Sequence, residues 1–237
     1  MKMSVSKFDI GLKVAQATAV EKTKRLLLPH LTVDLVAKDS PERLNVEQFI
    51  THHFYKSHKA EVDTFLPYVL TSRTKKNITS TVGFRMGSGS EDFFLEQYLN
   101  NSLETMLGDL LGKSIVRSKL AEIGNLTSSY PGASQMLFVL IVTVLHEAGF
   151  EWALFTVTPQ VQKMVDDLGI VSHEICEANP DSLDDGGESW GSYYKNRPKV
   201  IAGNLNDAYS ILEKHPVASF MMCNYQQTTN EIVRKIS

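Results

Sequence analysis

The chain has 237 residues, 43% hydrophobic and 22% charged, which is the balance of an ordinary globular protein and excludes a disordered or collagen-like chain. Its 24 Lys and Arg stand against 27 Asp and Glu, so no basic excess exists to neutralise phosphates, and no nucleic-acid partner is expected. A chain of this length needs no disulfide or metal staple, and the two cysteines, Cys176 and Cys223, make no disulfide framework.

The first 25 residues contain no apolar stretch of the kind that marks a secretory signal. The most apolar run, MLFVLIVTVL at 136–145, is half the roughly 20 residues a membrane span needs. A cytoplasmic location without a transmembrane segment is the expectation. Residues 1–30 are weakly patterned and read as an N-terminal extension, and 31–237 read as a single domain.

From Leu31, LTVDLVAK alternates as a strand does. Asp39-Ser40-Pro41-Glu42 then starts a helix, with Leu44, Phe49, Ile50, Phe54 and Val62 near helical spacing. YVLTSRT and Ile78 to Met86 read as a hairpin joined through Lys75-Lys76-Asn77. Ser88 and Glu91 have capping-box spacing ahead of a helical stripe of Phe94, Leu95, Tyr98, Leu99 and Leu103. An extended segment around SIVRSKLAEIGNL precedes a helix that runs apolar on nearly every face and stops at Gly149. EWALFTVT is a buried strand, VQKMVDDLGI a short helix ended by Gly169, and EANPDSLDDGGESWGSYYKNRP a long loop. The strand KVIAG, a helix from Leu205 and a last strand around 217–223 complete the order. Strands alternating with helices in the second half predict an α/β layer structure with one mixed sheet.

Several familiar motifs fail. MGSGSED lacks the third glycine of a dinucleotide-binding turn, and Glu91 and Asp92 would repel a pyrophosphate there. His52, His53 and His58 cluster without ligand spacing, so no metal site is expected. There is no nucleophile elbow and no Walker-type loop.

Three segments can carry chemistry. In SSYPGASQMLF, Gly132, Ala133 and Ser134 place bare backbone N–H groups at the positive end of a helix, where an anion can approach, although an ordinary strand-to-helix junction has the same composition. Glu122, in LAEIGNL, is a carboxylate in an apolar extended run, where burial raises its pKa toward useful base strength; the alternative is an ion pair with Arg85 or Arg117. The loop Trp190-Gly191-Ser192-Tyr193-Tyr194 can line a pocket for an acyl chain or ring, or lid the core.

FFLEQYL, EIGNLTSS with PGAS behind it, FTVT, the loop ending in WGSYY, and KVIAG follow in fixed order. Through these blocks the chain resembles the bacterial thermostable hemolysin family from about residue 31 to about residue 205. That family is similar to the GNAT acyltransferases, nearest to acyl-homoserine-lactone synthases and N-acyl amino acid synthases. The resemblance implies a GNAT-like mixed central sheet with helices on both faces. In it the Glu122 strand and the strand at 152–158 run parallel and splay apart, and helix 133–148 crosses one face.

The same resemblance implies an acyltransferase that moves an acyl chain from a thioester donor to a small-molecule amine, with no permanently bound cofactor. Glu122 would be the general base. Arg85, at the place of a synthase arginine, would orient it or hold an acceptor carboxylate. Backbone groups of Ile123, Gly124, Asn125 and Leu126 would receive the donor arm, and Gly132, Ala133 and Ser134 its phosphate. Phe84, Phe155, Thr156, Trp190, Tyr193 and Tyr194 would line the substrate pocket. Asn125 stands where the synthases carry Arg, which argues against an exact lactone-synthase activity. Ser129 and Ser134 stand in the nucleotide-binding turn, which favours acyl carrier protein over coenzyme A as donor. The alternatives are a membrane-lytic toxin, as the family's name suggests, and a catalytically inactive donor-binding module.

Overall fold

Alternation along each strand decides which layer its side chains join. The computed structural model describes residues 31–75, 77–89, 91–129 and 132–237. The expected extension 1–30 lies outside the described residues, as do Lys76 of the hairpin connection and Pro131 of the PGAS junction. Strands β1 (Leu31–Ala37), β2 (Tyr68–Thr74), β3 (Asn77–Met86), β4 (Leu120–Ser128), β5 (Trp152–Val157), β6 (Ser172–Glu177) and β7 (Lys199–Asn204) form one sheet in the order β1-β2-β3-β4-β5-β7-β6. The pair β4–β5 is parallel, and the others described are antiparallel.

Ala121, Ile123, Ala153, Phe155 and Ile201 point to one face, into a core shared with Val82 and Phe84. Their neighbours Leu120, Trp152, Leu154, Val200 and Ala202 point to the other. Among the described residues six helices cover the two faces: α1 (Arg43–His58), α2 (Leu103–Leu111), α3 (Ala133–Glu147), α4 (Pro159–Asp167), α5 (Leu205–Lys214) and α6 (Pro216–Ile236). Helices α3, α4, α5 and α6 pack into the first core, α2 into the second, and α1 into a smaller cluster with Val36 and Val69. The expected mixed α/β sheet with helices on both faces is therefore present.

Helix α3 carries the run 136–145, every residue of which is at most 3% exposed. Its one polar member, Thr143, donates its hydroxyl to the Val139 carbonyl at 2.9 Å. The run is apolar all round because α3 is covered both by the sheet and by α5 and α6.

The structure departs from expectation in four places. Helix α1 begins at Arg43, after a turn in which the Ser40 N–H bonds the Ala37 carbonyl, so Pro41 precedes the helix. The stripe at 94–103 is not one helix. Glu96 folds back to accept the Phe93 N–H at 2.7 Å, making a 3-10 turn at Phe94–Tyr98, and Ser102 then caps α2. Nor, as part of that same departure, does the Ser88–Glu91 box ahead of the stripe form, because Glu91 faces Arg85 and Lys38.

The third departure is β6, where the sequence reading had placed no element. It is a half-exposed edge strand with no apolar alternation to announce it. The fourth is the expected last strand at 217–223, which is the start of α6. Pro216 at the first turn and the His215 ring, which accepts the Ala218 N–H at 3.2 Å, begin a helix there. Ala218, Met221, Met222, Thr229 and Ile232 then fall on its buried face.

Close packing around α3 makes it sensitive to lost volume. Leu140→Ala is expected to cost about 2–5 kcal/mol of unfolding free energy, measured by urea denaturation. A loss below 1 kcal/mol would show that α3 is not held as described.

Candidate active site

Strands β4 and β5 pair from Leu120↔Trp152 to Ile123↔Phe155, and there the pairing stops. Strand β4 continues to Ser128, held by β3 through Thr81↔Thr127 and Ser80↔Ser128. The register against β3 slips between Thr81 and Gly83, and opposite the slip Asn125 takes φ +47°. Asparagine tolerates this left-handed region because its short amide can bond locally. Here the Asn125 Oδ1 accepts the Leu66 N–H at 2.9 Å, and its carbonyl accepts the Thr81 hydroxyl at 2.9 Å. Gly124 lets Leu66 close in, since a Cβ there would stand 3.0 Å from the Leu66 side chain.

A cavity of about 500 Å³ occupies the opening, a size typical of small-molecule sites. Residues 122–128 of β4 line one side, and Gly132, Ser134 and Gln135 of the α3 start line another. Phe138, Phe155, Val161 and Met164 make an apolar arm. Phe54, Phe94, Trp190 and Tyr193 make an aromatic wall. Gly132 precedes α3 at φ +89°, and no side chain caps that helix.

Glu122 is 4% exposed and borders the cavity one residue before the strands part. It makes neither of the ion pairs considered for it. Its Oε2 accepts the Phe94 N–H at 3.0 Å and its Oε1 the Leu95 N–H at 2.9 Å. Burial pushes its carboxyl up to about 7, against the opposing pull of these two N–H groups and of the Arg85 charge. Arg117 is engaged elsewhere, bonding both Glu96 carboxylate oxygens at 2.6 Å and stacking 4.2 Å above the Phe93 ring. That clamp fixes the segment whose N–H groups hold Glu122, and it keeps the Glu96 carboxyl below the ordinary value despite burial.

The structure brings Glu122, Ile123, Gly124, Asn125, Leu126, Gly132, Ser134, Phe155, Thr156, Trp190 and Tyr193 to this one cavity. Four expected members are not in its lining. Arg85 is the cross-strand neighbour of Glu122, but its guanidinium donates to the Asp92 carbonyl and pairs with Glu91 at 3.3 Å. The acidic turn at 91–92 has claimed the charge, so Arg85 is not placed to hold an acceptor carboxylate. Phe84 shares the face of Ile123 but is fully buried in the core, stacked on Tyr68 at 5.2 Å. Ala133 is buried with its carbonyl taken by the Ser80 hydroxyl, and Tyr194 stands behind the wall with its hydroxyl 2.5 Å from that of Tyr98.

The sequence reading missed Phe54 and His58, four apart on α1, and Phe94 and Tyr98, four apart on the 3-10 turn; nothing local links the two pairs. Their wall is closed by the loop at 178–198. Ser192 donates its N–H to the His58 carbonyl at 2.7 Å, and the Glu61 N–H reaches Ser189 at 2.6 Å. Gly191 permits this seat at φ +54°, because a Cβ there would fall 2.3 Å from the His58 carbonyl oxygen. Among the described residues no cluster of His, Cys, Asp or Glu could hold a metal ion, and no helix is long and apolar enough to cross a membrane.

The sequence profile of the thermostable hemolysin family matches residues 36–209, most of the chain. The chain belongs to the thermostable hemolysin family. No curated protein matches it. Among solved structures it is similar to the AHL synthase LasI, at 12% identity and a TM-score of 0.54, over 78% of this chain and 96% of that one. It is also similar to FeeM, an N-acyl amino acid synthase from uncultured soil microbes, at 12% identity and a TM-score of 0.53, over 81% of this chain and 98% of that one. At such identities the likeness establishes the fold: this thermostable hemolysin family member has the GNAT-like sheet.

The raised Glu122 carboxyl has a consequence for stability. Its value rises on folding from an ordinary 4.3 or so to about 7. The folded state therefore binds the extra proton between those values, and the Glu122 contribution to stability falls as pH rises through that window. The wild-type chain should lose roughly 3 kcal/mol more than Glu122→Gln between pH 4 and pH 8. Urea titrations of both proteins across that range measure the difference, and parallel pH profiles would show that Glu122 is not held as described.

Proposed function

We propose that the chain transfers an acyl group from a thioester donor to an amine. The observation that carries this reading is the edge of β4 at 124–127, which continues past its pairing with β5 and lies beside a buried carboxylate, Glu122. An extended pantetheine arm can add to such an edge as a further strand, through amide hydrogen bonds that require no particular side chain. The α3 start at Gly132 and Ser134 offers backbone N–H groups and the positive helix end to its phosphate. The apolar arm of Phe138, Phe155, Val161 and Met164 suits the acyl chain. The charged side chains among the described lining residues reduce to Glu122, which favours a carrier-protein donor over the more heavily phosphorylated coenzyme A.

In this mechanism an ammonium gives one proton to Glu122, and the freed nitrogen pair attacks the thioester carbonyl. The C–N bond forms, the C–S bond breaks, and the departing sulfur takes the second proton to leave as a thiol. A carboxyl titrating near 7 suits the first step, because its basic form is populated at neutral pH.

A second reading, an inactive donor-binding module, is favoured by the engagement of both Glu122 oxygens with backbone N–H groups. A carboxylate has about four acceptor sites, so each oxygen keeps room for a proton. The lytic reading draws on the family's name and requires the segment 136–145, here in the core, to leave it.

Three measurements separate these. Glu122→Gln is expected to lose about 10²–10⁴-fold in single-turnover acyl transfer while still binding donor. Gly132→Asp should abolish donor binding through bulk and charge, and unchanged affinity for acyl-loaded carrier protein would overturn the donor site. The purified protein should leave dye-loaded liposomes intact, and rapid dose-dependent leakage would favour the toxin.

A further inference from the structure

Resting on the acyl-transfer reading, we infer that the acceptor is a cationic amine carrying no carboxylate, seated with its ammonium on the aromatic wall of Phe54, Phe94, Trp190 and Tyr193 and its nitrogen toward Glu122. The wall is continuous. Trp190 stands 6.1 Å from Phe54, 5.7 Å from Phe94 and 5.4 Å from Tyr193 between ring centroids, and all four rings line the cavity. Trp190 meets Phe54 nearly edge-on, at 82°, so the rings present faces in different directions.

The negative face of an aromatic ring attracts a cation within about 6 Å, and the attraction strengthens where water is excluded. Glu122 borders the same cavity and adds a carboxylate that complements the ammonium and receives its proton. Among the described residues no basic side chain of the lining can pair with an anion on the acceptor. Arg85 lies outside the lining with its two terminal nitrogens on Glu91 and the Asp92 carbonyl, and Arg117 pairs with Glu96 and Glu104. Among the described residues the lining contains no Lys or Arg, and its one imidazole, His58, is biased toward its neutral form by burial. An α-amino acid would therefore bring its carboxylate, unpaired, against π-faces and beside Glu122, where like charges repel.

The wall is also built to stay in place. The Ser192 N–H and hydroxyl both reach the His58 carbonyl, at 2.7 and 3.1 Å, tying the Trp190 loop to the end of α1 that carries Phe54. Such a preformed surface spares the amine the cost of ordering a loop on binding.

The test compares phenethylamine with phenylalanine, which share a ring and an amine and differ by the carboxylate. Binding of each to the full chain is measured by calorimetry, and turnover of each is measured with one acyl donor. Phenethylamine should bind roughly tenfold or more tightly than phenylalanine, and tetramethylammonium should compete with it. Trp190→Leu should weaken phenethylamine by roughly tenfold while Trp190→Phe retains most of the affinity. Equal or tighter binding of phenylalanine overturns the inference, as does an unchanged phenethylamine affinity in a folded Trp190→Leu. Donor affinity, measured on the same protein, separates the two levels. Donor bound with phenylalanine preferred overturns the acceptor alone. Failure to bind any thioester donor overturns the acyl-transfer reading and the acceptor with it.

Discussion

Everything at the cavity depends on β4 turning away from β5 after Ile123. A strand that kept its parallel partner would have spent its outer N–H and C=O groups on that ladder and left no opening. The turn is made by one left-handed residue, Asn125, facing the slip in the β3 register. Its side chain takes the Leu66 N–H and its carbonyl the Thr81 hydroxyl, so the kink is bonded on both sides. That also explains why an asparagine, not an arginine, stands at this place. An arginine could supply neither the acceptor oxygen nor the ease of a positive φ.

Beside that opening the chain buries a carboxylate without giving it a counter-ion. Two backbone N–H groups from the 3-10 turn at Phe94–Tyr98 take that place, and they hold the charge less firmly than an arginine would. Desolvation therefore prevails, and the carboxyl titrates near neutrality. The arginine that could have changed this, Arg117, is bound to Glu96 a few residues along the same turn. There it fixes the donors and leaves Glu122 its proton affinity. The nearest charge on the sheet, Arg85, is drawn outward to Glu91. In this division of partners the surrounding ion pairs form around Glu122 and do not include it, and perturbed carboxyls of this kind cluster at functional sites.

The two arms of the cavity come from different layers. The apolar arm is an extension of the core beneath α3, and its walls would be present whatever the chemistry. The aromatic wall is assembled from α1, the 3-10 turn and the loop at 178–198, and Gly191 lets that loop approach within contact of the α1 end. In the proposed function the groove between the parted strands would take an extended thioester arm, and the loop laid over the second face of the sheet would distinguish one acceptor from another.

Local pattern was enough for much of this. Period-two alternation marked β1, apolar or β-branched runs marked most of the other strands, the apolar run 136–145 marked the central helix, and a lone carboxylate in LAEIGNL marked Glu122. In each case the physical demand is local: a strand face must be buried or wet, and a charge in an apolar run must be accounted for. Gly132 and Ser134 were legible for the same reason, as small residues at a strand-to-helix turn. Other outcomes were decided only when distant segments met. Phe84 and Arg85 are adjacent, and alternation puts them on opposite faces, but that neither lines the cavity is decided by their partners, Tyr68 stacked on Phe84 and Glu91 paired with Arg85. Residues 217–223 read as a strand, and they are helical because the α3 surface offers a helix-wide stripe to cover. The edge strand β6 has no buried face of its own and exists because β7 offers it a ladder. The partners of Glu122 and the joining of Phe54 and Phe94 to Trp190 and Tyr193 were illegible for one reason: hydrogen bonds and ring contacts between segments tens of residues apart leave no trace in local spacing, and only the folded sheet brings them to one place.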